Sequence, residues 1–148
     1  MDRPISRFLL GSALLLGSMQ ALPQMPTINL SAGVHVIRAE VANSFDTRGR
    51  GLMFRRKLGP NQGMLFVFED VGRQCMWMKN TLIPLSVAFI QPDGTIVNIA
   101  DMKPHDETSH CAARPVMHAL EMERGWFATR GLKPGSRIGG LDKAPPPR

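Results

Sequence analysis

Residues 74–90, QCMWMKNTLIPLSVAFI, decide the fold, because a polar step of Lys79, Asn80 and Thr81 is set between two apolar runs. Each run is too short for a good helix, and the second is rich in the branched residues that strands favour. The stretch therefore indicates a β protein in which polar groups lie inside or beside a sheet.

The rest of the chain repeats this pattern of short apolar runs separated by Gly/Pro turns. Alternating apolar and charged residues predict a strand over residues 34–41, and an uninterrupted apolar run predicts a buried strand over residues 64–68. The turn Pro92-Asp93-Gly94 predicts a hairpin. Further expected elements are strands at 74–78, 85–91, 95–101, 116–122 and 137–138, short helices after Asn43 and over 125–130, and a long loop over 103–115. Together they favour a mainly β fold, an antiparallel β-sandwich or partly closed barrel with one or two short helices.

A chain of 148 residues supports one domain, preceded here by an export signal. Arg3 and Arg7 precede an uncharged apolar run over residues 8–17, as in a Sec signal peptide, and cleavage is expected after Ala21. The expected segments are a signal peptide at 1–21, an extended linker at 22–32, a single β-rich domain at 33–140 and a disordered tail at 141–148. The predicted location is periplasmic or secreted. A retained N-terminal membrane anchor is the alternative, although the run is shorter than the roughly 20 residues that span a bilayer.

The two cysteines, Cys75 and Cys111, are the only ones in the chain. In an oxidising compartment they are expected to form a disulfide with each other. Two free thiols or a metal site are the alternatives. Because the chain has no CxxC pair, a thioredoxin-type redox centre has no support.

The formal net charge is +6, and the basic residues concentrate at 48–57 and 124–137. Such charge suits an anionic lipid or polysaccharide, or it simply keeps the surface soluble. No nucleic-acid recognition motif accompanies it, so nucleic acid is not expected as a partner. The predicted partner is an unknown ligand or envelope component that carries negative charge, with no stable membrane span once the signal is removed.

Several motifs resemble those of a bacterial and archaeal family known as domain of unknown function 192. The matching residues are Arg50-Gly51-Leu52-Met53-Phe54-Arg55, Gly63-Met64-Leu65-Phe66, Trp77-Met78-Lys79-Asn80-Thr81, Pro84-Leu85, and Leu120-Glu121 with Gly125. The resemblance spans residues 37–138 and implies a mainly β fold, but no established reaction. Ser86 departs from the family pattern, which commonly has an acidic residue there. If that acid serves binding or catalysis, this chain has altered the function.

Charged and polar residues within these apolar motifs are the candidate ligand-binding residues. They are Arg50, Arg55, Trp77, Lys79, Asn80, Thr81 and Glu121. One interpretation gathers them in a pocket for an anionic or hydroxylated ligand, with Trp77 as an apolar wall. The other is a structural network, in which Glu121 pairs with an arginine or lysine while Asn80 and Thr81 complete a turn.

Catalysis and metal binding are weaker hypotheses. Neither a GxSxG motif nor a defined acidic pair is present, so no catalytic residue is assigned, and a thiol enzyme would need a reduced cysteine beside a histidine. Met76 and Met78 fall on one side of a strand and, with a histidine such as His105, His110 or His118, have the soft ligands that copper(I) prefers. Methionines more often fill cores, and the histidine spacing fits no standard zinc site, so no cofactor or metal is assigned. The sequence predicts a binding or accessory module at the cell envelope.

Overall fold

The computed structural model describes residues 24–148, so the predicted signal peptide lies outside the described residues. Within them are nine strands, one short helix α1 (Phe45–Arg50) and two 3-10 turns. The strands are β1 (Thr27–Ala32), β2 (His35–Ala42), β3 (Gln62–Gly72), β4 (Cys75–Met76), β5 (Leu85–Ile90), β6 (Ile96–Met102), β7 (His110–Cys111), β8 (Val116–Glu123) and β9 (Ile138–Gly139).

Seven strands form one curled sheet in the order β6-β5-β8-β3-β2-β1-β9. Neighbouring strands are antiparallel except β2 and β3, which run parallel. The two edges of the sheet meet where Thr95 forms a bridge with Arg137 and Ile96 donates a backbone hydrogen bond to the Ser136 carbonyl. The expected partly closed barrel is therefore confirmed.

The inside of the curl is filled by an apolar cluster to which all seven strands contribute. Leu30, Ile37 and Leu120 are among its fully buried members. Trp126 and Phe127, from the turn after β8, pack against the same cluster, and the Trp126 indole N–H donates to the Asn61 side-chain oxygen at 3.0 Å. The barrel therefore has a packed interior.

A second apolar cluster covers the outer face of β3, β5 and β8. Leu52 from the segment after α1 packs there, as do Met76 and Met78, which lie in and just after β4. The small sheet of β4 and β7 thus forms a partial outer layer.

The expected linker over residues 22–32 is wrong in its second half, which is strand β1. Leu30 and Ala32 alternate into the inner cluster, and β1 pairs with both β2 and β9. Pro26 precedes the strand and therefore removes no hydrogen-bond donor from it.

The C-terminal residues also differ from expectation. The segment expected to be a disordered tail begins with a 3-10 turn at Leu141–Lys143. Asn43 then binds the chain end: its side-chain amide donates to the Pro146 carbonyl at 2.7 Å, and its carbonyl accepts from the Arg148 N–H at 2.7 Å. Composition did not reveal this long-range contact.

Three predicted elements differ from the structure in their extent or type. The strand expected at 74–78 is limited to β4, and the loop expected at 103–115 contains β7, because these two short strands pair only with each other. The helix expected over 125–130 is a 3-10 turn at Ala128–Arg130. No helix among residues 24–148 has the length and apolar character needed to cross a bilayer.

Candidate functional site

A cleft of about 790 Å³ opens on the outer face of the barrel, where β1 and β2 meet α1 and the start of β3. Arg38 and Glu40 face it because they alternate along β2 with Ile37 and Ala39, which are buried inside the barrel. The cleft is lined by Gln24, Met25, Thr27, Arg38, Glu40, Ser44, Asp46, Thr47, Arg50, Arg55, Gln62, Gly63 and Arg148.

Helix α1 places Arg50 on the wall of the cleft. The Ser44 hydroxyl accepts from the Thr47 N–H at 3.2 Å, and the Thr47 hydroxyl accepts from the Ser44 N–H at 2.9 Å, which forms a capping box. The helix therefore begins after Ser44, not after the predicted cap Asn43. It ends at Gly51, whose φ of 48° suits glycine. Arg50 is the last helical residue between these two fixed ends.

Arg55 and Glu40 form a two-pronged ion pair in the cleft. The two terminal guanidinium nitrogens of Arg55 donate to the two Glu40 carboxylate oxygens at 2.9 and 2.6 Å. This hydrogen bonding raises the pKa of Arg55. The fork geometry fixes the orientation of the guanidinium. Arg55 is thus held in place by the protein itself.

Three other arginines line the same cleft without such a partner. Within residues 24–148, the ion pairs are Arg48–Glu69, Arg55–Glu40 and Arg124–Asp101. Arg38, Arg50 and Arg148 belong to none of them, and Asp46 is the other acidic side chain on the lining. The cleft therefore has an excess of positive charge whose hydrogen-bond donors face solvent or a ligand.

The polar step predicted from the sequence lies outside this cleft. Trp77, Lys79, Asn80 and Thr81 occupy the segment between β4 and β5 and are not among the lining residues. The Thr81 N–H donates to the Met78 carbonyl at 3.0 Å, which closes a turn. The Lys79 ammonium lies 5.3 Å from the centre of the Trp77 ring. The seven predicted residues are thus divided, with Arg50 and Arg55 in the cleft and the polar step in a separate loop.

Glu121 is buried in the sheet and does not reach either place. Met64 of β3 pairs with Glu40 of β2 on one side and with Glu121 of β8 on the other, so both carboxyl side chains project from the same face, roughly 10 Å apart. Burial raises the pKa of Glu121 to about 8. The predicted ion pair with an arginine or lysine is absent from the described part of the chain. Glu121 is therefore largely protonated at neutral pH.

Ser86, the departure from the family pattern, has a structural role at the end of a strand. Its hydroxyl donates to Asp101 at 2.6 Å and accepts from the Gly125 N–H at 2.9 Å. Ser86 thus links β5 to Asp101 of the neighbouring strand β6 and to the turn after β8. The substitution does not change the lining of the cleft.

Cys75 and Cys111 form a disulfide between β4 and β7, as predicted. The next pair in the same ladder is Met76 opposite His110. Nε2 of His110 is buried and has no hydrogen-bond partner in the described structure. Met78 is fully buried in the outer cluster, and no group of three His, Cys, Asp or Glu side chains with the geometry of a metal site occurs among residues 24–148.

Sequence reasoning missed Arg38, Glu40 and Arg148 as members of the site. The alternation along residues 34–41 did indicate that Arg38 and Glu40 share one solvent-facing side of a strand. It could not indicate that Arg55 reaches Glu40, because that contact depends on the path of the segment after α1. Nothing local in the sequence places Arg148 at the cleft.

Solved structures and a family model show what this chain is similar to. The chain is similar to a candidate transcription regulator from Sinorhizobium meliloti, with 35% identity and a TM-score of 0.76 over 82% of this chain and 98% of that one. It is also similar to a protein of unknown function from Novosphingobium aromaticivorans, with 33% identity and a TM-score of 0.75 over 88% of this chain and 100% of that one. No curated protein matches it significantly. The family profile of domain of unknown function 192, described as uncharacterized ACR, matches residues 27–140. This match covers almost all of the barrel, and the chain therefore belongs to that family.

Proposed function

We propose that this protein is an exported binding module whose arginine-lined cleft takes an anionic, hydroxylated ligand. One observation supports the proposal above all: Arg38, Arg50 and Arg148 line one cleft, and none of them has a carboxylate partner in the part of the chain that the structure describes. Guanidinium groups bind carboxylate and phosphate oxygens through paired N–H donors. A cleft of this kind selects negative charge.

The other lining side chains suit hydroxyl groups on the same ligand. Ser44, Thr47 and Gln62 provide oxygens and N–H or O–H donors beside the arginines. Glu40 holds Arg55 in a fixed orientation, so this guanidinium loses little side-chain entropy when a ligand binds. A sugar acid or a hydroxylated di- or tricarboxylate has both kinds of group.

Export is part of the proposal. What supports it is the disulfide between Cys75 and Cys111, since such bonds persist in oxidising compartments. Both cysteines of the chain are in this bond, which leaves no free thiol to act as a nucleophile and favours the binding module over the thiol enzyme.

Isothermal titration of the purified protein tests the cleft. The probes are citrate, inorganic phosphate and an oligogalacturonide, and the variants are R38Q/R50Q and the control R114Q, which removes one exposed arginine outside the cleft. We expect saturable binding of at least one probe, lost in R38Q/R50Q and kept in R114Q. No binding of any probe, or equal binding by both variants, would contradict the proposal.

Nucleic acid is the rival that the Sinorhizobium protein's description suggests. The described residues contain one α-helix of six residues, too short to read a major groove in the way that recognition helices do. A DNA duplex added to the same titration distinguishes nucleic-acid binding from binding of a small hydroxylated anion. If the duplex binds through the cleft arginines and the sugar acid does not, the regulator is the better description.

Copper(I) binding is a second candidate, favoured by one specific contact. Met76 lies opposite His110, whose buried Nε2 has no hydrogen-bond partner, and Met78 is buried in the same outer cluster as Met76. Thioether and imidazole groups are suitable copper(I) ligands. Copper(I), kept reduced with ascorbate, should raise the melting temperature of the wild type and of the control M117L, but not of M76L/M78L. An unchanged melting temperature of the wild type would exclude this candidate.

A further inference from the structure

Two loops on the outside of the barrel are joined by a backbone hydrogen bond. The loops are residues 51–58, after α1, and residues 77–84, between β4 and β5. The Phe54 N–H donates to the Asn80 carbonyl at 2.9 Å, and the Asn80 side-chain amide lies 4.0 Å from the Met53 sulfur. Side chains from both loops therefore share one surface.

This surface exposes three large apolar side chains. Phe54 is 64% exposed, Trp77 46% and Leu82 40%. Exposed single apolar residues are ordinary, but Phe54 is bonded through its backbone to Asn80, and Trp77 and Leu82 lie within three residues of Asn80 along the chain, so we treat the three as one patch. An aromatic pair with a leucine is the side-chain set that proteins insert at the boundary between lipid headgroups and acyl chains.

The backbone of both loops adopts a left-handed conformation where these side chains are exposed: Phe54 has a φ of 63° and Asn80 a φ of 53°. Asparagine tolerates the left-handed region, whereas a bulky residue such as phenylalanine is strained there. A strained residue persists when its surroundings hold it, and such residues cluster at functional sites. The fold thus keeps an aromatic ring exposed at a cost in backbone energy.

All the charged residues in the two loops are basic. Arg56, Lys57 and Lys79 are exposed and belong to no ion pair in the described part of the chain, and neither loop contains an acidic residue. The neighbouring loop contacts the 77–84 loop through the Met78 N–H and the Asp106 carbonyl. It adds Asp106 and Glu107, but it also adds Lys103, so the neighbourhood stays positive.

From these observations we infer that the joined loops dock this protein onto an anionic lipid surface. The aromatic-basic patch consists of Phe54, Trp77 and Leu82 with Arg56, Lys57 and Lys79. The apolar members enter the headgroup boundary, and the basic members bind anionic headgroups, each strengthening binding by about fivefold. The patch is distinct from the arginine-lined cleft, because none of its six residues lines that cleft.

Tryptophan fluorescence tests the docking directly, because the two tryptophans differ in exposure. Trp126 is only 6% exposed and hydrogen bonded inside the barrel, so a change on adding vesicles reports Trp77. The exported chain is mixed with vesicles of phosphatidylcholine alone or with about one third phosphatidylglycerol, carrying brominated acyl chains. We expect a blue shift and quenching on the anionic vesicles only, both absent in W77F.

Matched variants separate the patch from other sources of binding. F54S/L82S should weaken partitioning onto anionic vesicles at least tenfold, and K79Q about fivefold. V34S/V71S removes exposed apolar side chains elsewhere and should stay within about twofold of wild type, as should the cleft variant R38Q/R50Q. Because R38Q/R50Q alters the cleft alone, it shows whether lipid binding depends on the proposed ligand site.

Several results would overturn the inference. One is unquenched Trp77 fluorescence on anionic vesicles, even if the chain sediments with them through another segment. Equal binding to neutral vesicles, or an equal loss in V34S/V71S, would also contradict it. If dextran sulfate binds through Lys79 while vesicles do not, the patch recognises a polysaccharide and not a bilayer.

Discussion

Glu40 and Glu121 flank Met64 in one row across the sheet, yet only Glu40 has a cationic partner. Glu40 lies at the edge of the cleft, where Arg55 reaches it. Glu121 lies one strand beyond Met64 under the outer apolar layer, and no arginine or lysine among residues 24–148 forms an ion pair with it. The same residue type in the same row therefore contributes in two ways, as the anchor of an arginine and as a buried acid.

The buried acid predicts a pH-dependent stability. Because the folded pKa of Glu121, about 8, exceeds its unfolded value of 4.5, the folded state binds the proton more tightly. Its contribution is most favourable below the unfolded pKa and is lost as pH rises through the folded pKa. Replacing Glu121 with Gln should leave the free energy of unfolding within about 1 kcal/mol at pH 5 and raise it by several kcal/mol at pH 9. Urea unfolding across this pH range is the measurement, with E123Q on the exposed end of β8 as the control. Parallel pH curves for wild type and E121Q would show that the carboxyl is not buried in this way.

The Arg55–Glu40 pair predicts a modest coupling energy. Both side chains are partly exposed, so solvent screening limits the interaction to about 1 kcal/mol despite its two-pronged geometry. A double-mutant cycle with R55Q, E40Q and R55Q/E40Q measures it by chemical denaturation. The coupling should fall in high salt. A coupling energy near zero would mean that Arg55 is not held in place before a ligand arrives.

Gly63 predicts a steric limit on the inner face of the sheet, where β3 lies against β8. A methyl group at this position would overlap the Glu121 carbonyl oxygen and the Met122 sulfur, and the carbonyl belongs to the neighbouring strand and cannot move aside. Gly63→Ala should therefore lower the free energy of unfolding by about 1–3 kcal/mol.

Gly49 is the matched control for that substitution. It lies in α1 with open space around its Cα, so Gly49→Ala should raise stability by up to about 1 kcal/mol. Thermal melts of the two variants compare them directly. Equal shifts in the same direction would contradict the strand contact at Gly63.

Phe54 predicts that stability and surface binding change in opposite directions. Phe54→Gly relieves the left-handed backbone strain and loses little packing, since the ring is largely exposed. It should raise the free energy of unfolding by about 1 kcal/mol while weakening partitioning onto anionic vesicles. Denaturant unfolding and vesicle sedimentation of the same sample test both halves. A destabilised variant would contradict the backbone strain, and unchanged partitioning would contradict the role of the ring in surface binding.

Local chemistry made part of the fold predictable from the sequence. Pro92-Asp93-Gly94 specifies its own turn, and the hairpin of β5 and β6 follows. The disulfide was predictable because Cys75 and Cys111 have no other possible partner within the chain. Strand β1 was missed because the prolines before it suggested a linker, whereas its alternation becomes decisive only when β2 and β9 lie on either side.

The candidate site was less predictable, because it depends on register between distant strands. Sequence patterns located Arg50 and Arg55 but grouped them with the polar step, which the turn after β4 directs elsewhere. The expected partner of Glu121 was wrong for a related reason. Its neighbours in the sheet, Met64 and Val87, are apolar, and neither is close to it in sequence.

The pairing of β1 with β9 also has a consequence for biosynthesis. Strand β1 completes its pairing only with β9, and Ile138 of β9 belongs to the inner cluster. Contacts between such distant parts of a chain form slowly, because a long loop must close first. A nascent chain whose β9 has not yet emerged from the ribosome therefore lacks one wall of its core. Such a chain cannot complete the barrel. Folding of this barrel is completed only after β9 has been synthesised, which gives any machinery that handles unfolded chains a window in which to act.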